Sequence, residues 1–365
     1  MFLPHTLEEV FCQHRLCYPL SQPQDWLKLL YQAQFGPGHL APAPDACRRG
    51  IAQEAANLED RPVPPPFWVG GGLCRMPLSP DPAEQELLAR AFWDAAQSTE
   101  GRGSREGFVR RWEALRQQAP SLGLDTAALE REAAAFLAQP DPLPPMSHSP
   151  AFRAAYRPHY RLISGQAAFF WPVLKRAAAL QKEAQAAGRT ILLAIDGRCA
   201  SGKSTLAALL GRLLDCPVVH LDDFFLPPAL RTRERLAQPG ENVHWERFAQ
   251  EALQPLSQNR DACFAPFCCR TGDFSPNKAT VPAGGLVVVE GSYSLHPALA
   301  SFYQEAVFLT VEPAVQTQRL AQRNPDMLPQ FLQRWVPLEE RYIAALAPQE
   351  RAALQLDTSG LPPVF

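Results

Sequence analysis

Apolar positions in the first half of the chain recur at helical spacing. Leu27, Leu30 and Tyr31 fall three and four residues apart, on one face of a helix. Segments 82–98, 104–118 and 125–138 are rich in Ala, Leu, Glu, Gln and Arg, which favour helix, and predict three more. Residues 166–187 read as one long helix with Gly188 as its C-cap. Two stretches break the pattern: Pro62-Val63-Pro64-Pro65-Pro66 with Gly70-Gly71-Gly72 after it, and Gln139-Pro140-Asp141-Pro142-Leu143-Pro144-Pro145. Proline removes amide donors and disfavours helix at the residue before it, so both predict loops.

The period changes near residue 190. Thr190-Ile191-Leu192-Leu193-Ala194-Ile195 is a short, continuous apolar run, as expected for a strand covered on both faces of a parallel sheet. Similar runs follow at 217–221, 286–289 and 306–311, with helical stretches between them. Strands alternating with helices predict a doubly wound α/β domain. The 365-residue length exceeds what one core usually supports. The reading is therefore two domains: a mainly α domain over 1–185 and an α/β domain over 186–365.

Composition narrows the partners. A hydrophobic fraction of 46% against 20% charged residues suits a soluble globular chain, and a net charge of -2 argues against nucleic acid as partner. The nine cysteines form no C-x-x-C pairs, although Cys268 and Cys269 are adjacent, so a zinc site is not expected. Residues Met1 to His14 mix Pro4, His5, Glu8 and Glu9 with apolar ones, which does not read as a signal segment. No apolar run approaches the ~20 residues of a bilayer span. Free thiols in a reducing cytoplasm are the simplest expectation, and a homo-oligomer is left open.

The strongest chemical signal is Gly197-Arg198-Cys199-Ala200-Ser201-Gly202-Lys203-Ser204, which fits G-x-x-x-x-G-K-[ST] between a predicted strand and a helix opening at Thr205. Glycines let the backbone curl until successive amides converge on phosphate oxygens. Lys203 would bring a cation to the β/γ-phosphates, and the Ser204 hydroxyl would ligate Mg2+. ATP and Mg2+ are the expected cofactors. Two acidic groups follow predicted strand ends, where α/β sites form: Asp222-Asp223 after His220-Leu221, and Glu290 after Val287-Val288-Val289. A turn or helix-cap pair is the plain alternative for the aspartates.

With these pieces in place, residues 188–356 resemble the uridine kinase and phosphoribulokinase group of P-loop kinases. The phosphate loop, His220-Leu221-Asp222-Asp223-Phe224-Phe225, Val289-Glu290-Gly291 and Arg319-Leu320-Ala321-Gln322-Arg323-Asn324 carry the resemblance. It implies a transfer of the ATP γ-phosphoryl group to a hydroxyl of a small metabolite, a nucleoside among the candidates. It makes Asp222, ahead of Asp223, the base for that hydroxyl. It further implies that Glu290 assists Mg2+, with Asp222 beside the metal, and that Arg319 and Arg323 close over the phosphates. For the two arginines a solvated helix face is the alternative. The rival function is a regulatory ATP-binding or ATPase switch with no acceptor.

Departures from the group concern the acceptor. The segment 226–233 differs from uridine kinase text, and Cys263–Arg270 lacks the polar pattern expected of nucleoside contacts. In Pro239-Gly240-Glu241-Asn242-Val243-His244-Trp245, His244 and Trp245 could touch a ring or simply pack. In the first half, His39 and Arg75 follow glycine clusters and could bind an anion or a partner. Turn geometry, with His39 capping a helix, is the preferred reading. Tyr156-Arg157-Pro158-His159-Tyr160-Arg161 is a further polar-aromatic cluster. The half resembles an uncharacterised leader fused to such kinase domains, which names no function.

Overall fold

The structure, a computed structural model, describes residues 6–58, 62–268 and 271–361. Cys269 and Arg270, named above, lie outside the described residues, as do Met1, Pro4 and His5 of the opening segment. Packing divides the chain into two compact units, one ending at Trp171 and one beginning at Pro172.

The first unit is built on helices Leu7–Cys17, Pro23–Phe35, Pro44–Ala55, Pro82–Thr99, Arg105–Gln118 and Thr126–Leu137. Four of these start where a side chain can take an orphan amide, the first with Thr6 accepting from Glu9. Asp81 accepts from Ala83, Ser104 from Gly107 and Asp125 from Ala128. Trp26, Leu27, Leu30 and Tyr31 enter one apolar core with Phe108, Trp112 and Leu129.

The glycine run is the turn of a hairpin rather than a free loop. Strands β1 (Phe67–Gly70), β2 (Leu73–Pro77) and β3 (Tyr160–Ser164) form an antiparallel sheet in the order β1-β2-β3. Gly70, Gly71 and Gly72 have φ of 85°, 61° and 72°, and a Cβ on Gly71 would stand 2.0 Å from the Ala33 carbonyl oxygen. Only glycine fits that approach.

The single helix expected over 166–187 is two: Gly165–Phe169 and Trp171–Ala187. Pro172 has no amide to donate back to the preceding turn, so one ladder cannot run through it. The second helix packs with the second unit, where Gln181 donates to the Leu214 carbonyl and Arg176 pairs with Glu305. Gly188 closes it with φ 59°, its own amide bonded to Gln185 and the next one to Ala184.

The second unit holds β4 (Thr190–Gly197), β5 (Val218–His220), two small pairs (β6, Ala262–Phe264, with β9, Ala279–Val281; β7, Phe267–Cys268, with β8, Asp273–Phe274), β10 (Gly285–Glu290), β11 (Glu305–Thr310) and β12 (Leu354–Asp357). The main sheet is parallel throughout, in the order β12-β11-β4-β10-β5, with helices flanking it. Every residue of β4 is buried, as the apolar run required. This is an α/β P-loop fold preceded by a mainly helical unit. β12, half-exposed with alternating burial at the sheet edge, had no comparable apolar run to announce it. Among the described residues no helix is long and apolar enough to cross a membrane.

Candidate active site

The phosphate loop leaves the carboxyl end of the central strand β4, and the strand order brings two further strand ends beside it. Register does the rest: Glu290 of β10 is aligned with Ile195 of β4 on one side and with His220 of β5 on the other. Paired residues on parallel neighbours face the same way, and His220 Nδ1 lies 2.6 Å from Glu290 Oε1. That hydrogen bond, with the carboxylate's charge, raises the pKa of His220.

The loop curls as its glycines predict. Gly197 has φ 142° and a Cβ there would stand 2.0 Å from the Leu309 carbonyl oxygen. Gly202 has φ 95° and caps the helix Lys203–Leu214. Ala200 is also left-handed, at φ 56°, a strain that a non-glycine residue accepts only where neighbours enforce it. Lys203, 8% exposed, folds its ammonium back over the loop and donates to the carbonyls of Gly197 and Arg198, each at 2.9 Å. Ser204 Oγ stands 3.2 Å from each Glu290 oxygen. Thr205 is half-buried one residue further along the helix.

Other loop side chains look outward to the scaffold. Arg198 makes a bidentate pair with Glu340, at 2.5 and 2.9 Å, and donates to Thr310. The Cys199 thiol is pushed up to about 12 by burial and the Glu339 carboxylate, so it stays protonated. The Ser201 hydroxyl is fully buried and has no hydrogen-bond partner among the described residues.

Asp222 follows β5 in a short 3-10 turn, Leu221–Phe224. Its side chain is exposed, yet the protein around it strips hydration from the carboxyl, which raises the pKa first, with Glu290 adding and Lys203 opposing. Asp223 is also raised by burial, opposed by His220 and Arg247. Asp222 is thus the aspartate whose electrostatic neighbours are both Lys203 and Glu290.

The two arginines part company. Arg319 spends its guanidinium on carbonyls of Ala200, Thr358 and Leu361 and on the Thr358 hydroxyl, at 2.6–3.2 Å. It ties the loop to the turn after β12. Arg323, four residues on, is exposed, bonded to Asn324 and set over the Phe331 ring. His244 Nδ1 accepts the Arg247 amide and caps the next helical turn, and Trp245 stacks on His296 while donating to Glu241. Both serve packing in this structure.

Two site residues were absent from the sequence reading. Asp196, 1% exposed, accepts four hydrogen bonds: from the amides of Gly197, Tyr293 and Leu295 and from the Tyr342 hydroxyl, at 2.6–3.0 Å. A carboxylate at the end of an apolar strand, one residue before the loop, was a usable signal. Glu339 accepts the Cys199 amide at 2.8 Å and the Ser292 hydroxyl at 2.6 Å; nothing in its local sequence marks it.

The donor set fits a phosphate-bound divalent cation. A hydroxyl and one or two carboxylates beside a phosphate cradle suit Mg2+, which keeps water and phosphate oxygens as its other ligands. Among the described residues no group of three or more His, Cys, Asp or Glu could hold a metal by itself.

No protein-family model and no curated protein matches the chain. Among solved structures it is similar to a possible uridine kinase from Bacillus stearothermophilus, at 22% identity over 51% of this chain and 100% of that one, TM-score 0.37. It is also similar to D-glycerate 3-kinase from Cryptococcus neoformans var. grubii, at 15% identity over 46% and 87%, TM-score 0.35. A third is shikimate kinase from Bacteroides thetaiotaomicron, at 16% over 46% and 86%, TM-score 0.26. Each likeness to these P-loop kinases spans about half of this chain.

Proposed function

We propose that the second unit is an ATP-dependent kinase that phosphorylates a hydroxyl group of a small metabolite. One observation carries the reading: Lys203, Ser204 and Glu290 converge at one end of the sheet, and Asp222, in the turn that follows the strand beside Glu290, lies within the electrostatic reach of both Glu290 and Lys203. Phosphoryl transfer needs positioning, neutralised charge and an oriented nucleophile, with little covalent work for the protein.

Mg2+–ATP, when bound, supplies the transferable phosphoryl group and the neutralising cation. The loop amides from Ala200 to Ser204 that face away from the scaffold would hold the phosphates, and Lys203 would supply the cation beside them. Ser204 would hold the cation, with Glu290 ordering that hydroxyl and assisting the metal directly or through water. Asp222, its pKa raised, takes the proton from the acceptor hydroxyl; Asp223 is the second choice. Arg319 keeps the loop in shape from behind, which makes it a positioning residue, and exposed Arg323 is the one left to reach the phosphates.

The test is ADP release across a panel of nucleosides, sugar acids and other hydroxyl-bearing metabolites, with Lys203→Ala as control. We expect acceptor-dependent turnover that falls on the order of 10^3-fold in the variant while melting stays within a few degrees. Slow ATP hydrolysis indifferent to every acceptor would instead favour a regulatory switch.

A further inference from the structure

The first unit contains a buried polar chain that the phosphate-loop chemistry does not use. It starts at Asp25, whose Oδ1 lies 3.0 Å from His148 Nδ1, while the Ser149 amide and hydroxyl donate to the same carboxylate at 2.9 and 2.6 Å. His148 Nε2 is 2.7 Å from the Tyr160 hydroxyl. Gln32 donates to that hydroxyl at 2.9 Å and accepts from Arg75 Nε at 2.8 Å. Groups from one helix, two strands and the segment at 148 thus form one relay ending on a guanidinium. Its effect is to fix Gln32, and through Gln32 the plane of Arg75.

What the relay leaves free is the other edge of that guanidinium. Arg75 is 2% exposed, and neither Nη1 nor Nη2 makes a hydrogen bond of normal geometry among the described residues, although the Tyr18 hydroxyl stands near enough to feel the guanidinium. The rings of Tyr160, Phe67 and Tyr18 wall it in, with centroids 5.2, 5.4 and 5.8 Å from Cζ. His14, wholly buried, packs on the Tyr18 and Phe67 rings, and its Nδ1 is also unpartnered. Ring faces attract a cation but do not satisfy in-plane N–H donors.

The local charge points the same way. Asp25 is committed to His148, Ser149 and the Gln22 amide. Burial, and the field of Arg75 with it, keeps His14 neutral and lowers Lys28 to about 8. The ring enclosure therefore carries a cation with no carboxylate on its fork among the described residues. A buried charge without a partner is costly, and such groups persist where a ligand completes them.

We propose that Nη1 and Nη2 of Arg75 form the recognition fork of a ligand site in the first unit, one that takes the oxyanion of a small molecule, carboxylate or phosphate. A planar fork matches either group with two parallel hydrogen bonds. The rings of Tyr18, Phe67 and Tyr160 contact the ligand's body, and His14 Nδ1 offers one further polar contact. Asp25, His148, Tyr160 and Gln32 are positioning residues that hold the fork in its plane.

The experiment uses the full chain carrying Lys203→Ala, which disables the phosphate loop's own anion site. Inorganic phosphate and sodium acetate are titrated at ionic strength matched with NaCl, followed by melting temperature and calorimetry. We expect saturable protection by at least one: phosphate alone identifies a phosphate ligand, acetate alone a carboxylate. Adding Arg75→Met should weaken that response by about tenfold or more. Met fills the ring box without an unpaired charge, so the variant should melt no lower than its parent. The proposal fails if neither anion protects saturably, if Arg75→Met keeps the response, or if the variant simply melts lower in the absence of any anion effect. Should that variant not fold, crystals of the unaltered chain soaked in selenate decide the matter. An anomalous selenium peak within hydrogen-bond reach of Arg75 upholds the site, and its absence there overturns it.

Discussion

Ser204 Oγ lies 3.2 Å from both carboxylate oxygens of Glu290, two residues 86 positions apart in the chain. The hydroxyl that would ligate a cation is therefore already oriented by a buried acid at the end of the adjacent strand. Groups that orient a metal ligand usually set its affinity almost as strongly as the ligand does.

Glu290→Gln keeps the shape and removes the charge. The Mg2+ concentration giving half-maximal turnover should rise about tenfold to a hundredfold. A magnesium titration at saturating ATP measures it, and an unchanged midpoint would detach Glu290 from the cation.

Asp222→Asn should lower kcat by about 100-fold or more while leaving ATP affinity within a few-fold. Because burial and Glu290 raise the Asp222 pKa, the base ionises only above the ordinary carboxylate range near ~3.9. In the wild type, kcat/KM should therefore fall as pH drops through that raised value, since a protonated base cannot accept the hydroxyl proton. A pH profile in which the variant keeps the same acid limb assigns it to another group.

Asp196→Asn would turn an amide NH2 toward donors that now all point at a carboxylate. Breaking so buried an arrangement costs about 3–5 kcal/mol. Tyr342→Phe removes one donor to the charged group and should cost about 1.5–3 kcal/mol. Urea unfolding of the two variants gives the comparison; equal, negligible losses would mean the network does not support the loop.

Burial lowers His148 to about 4, the Asp25 hydrogen bond opposing and Arg75 adding to the shift. A histidine held below its ordinary ~6.5 stays neutral in the fold, whereas the unfolded chain takes up a proton as pH falls. Its stabilisation is present above ~6.5 and is lost between there and about 4, a loss of about 3 kcal/mol for this 6% exposed side chain. Urea midpoints at pH 7 and pH 4.5 should converge less in wild type than in His148→Gln, which lacks the titrating group and loses less on acidification.

The two units differ in how plainly their chain declares them. The phosphate loop, its strand and its helix follow from residues 190–214 because cradle, glycines and cation are contiguous and local sterics decide their shape. Thr190–Ile195 read as a buried strand since a sheet covered on both faces leaves no room for alternation. The hairpin at Gly70–Gly72 stayed hidden: its strands are four and five residues long, and the Ala33 carbonyl that demands glycine comes from a distant helix. Pro172 could have announced the break near Phe170. Contiguous residues thus sufficed for the phosphate-loop motif and for the helical character of the first unit. Packing between distant segments decided that Glu290 meets Ser204, that Glu339 caps Cys199, that Arg319 braces the loop, and that the Arg75 fork is left without a hydrogen-bond partner among the described residues. Those facts depend on register and packing between segments tens of residues apart, where the partner's identity is written nowhere near the residue it serves.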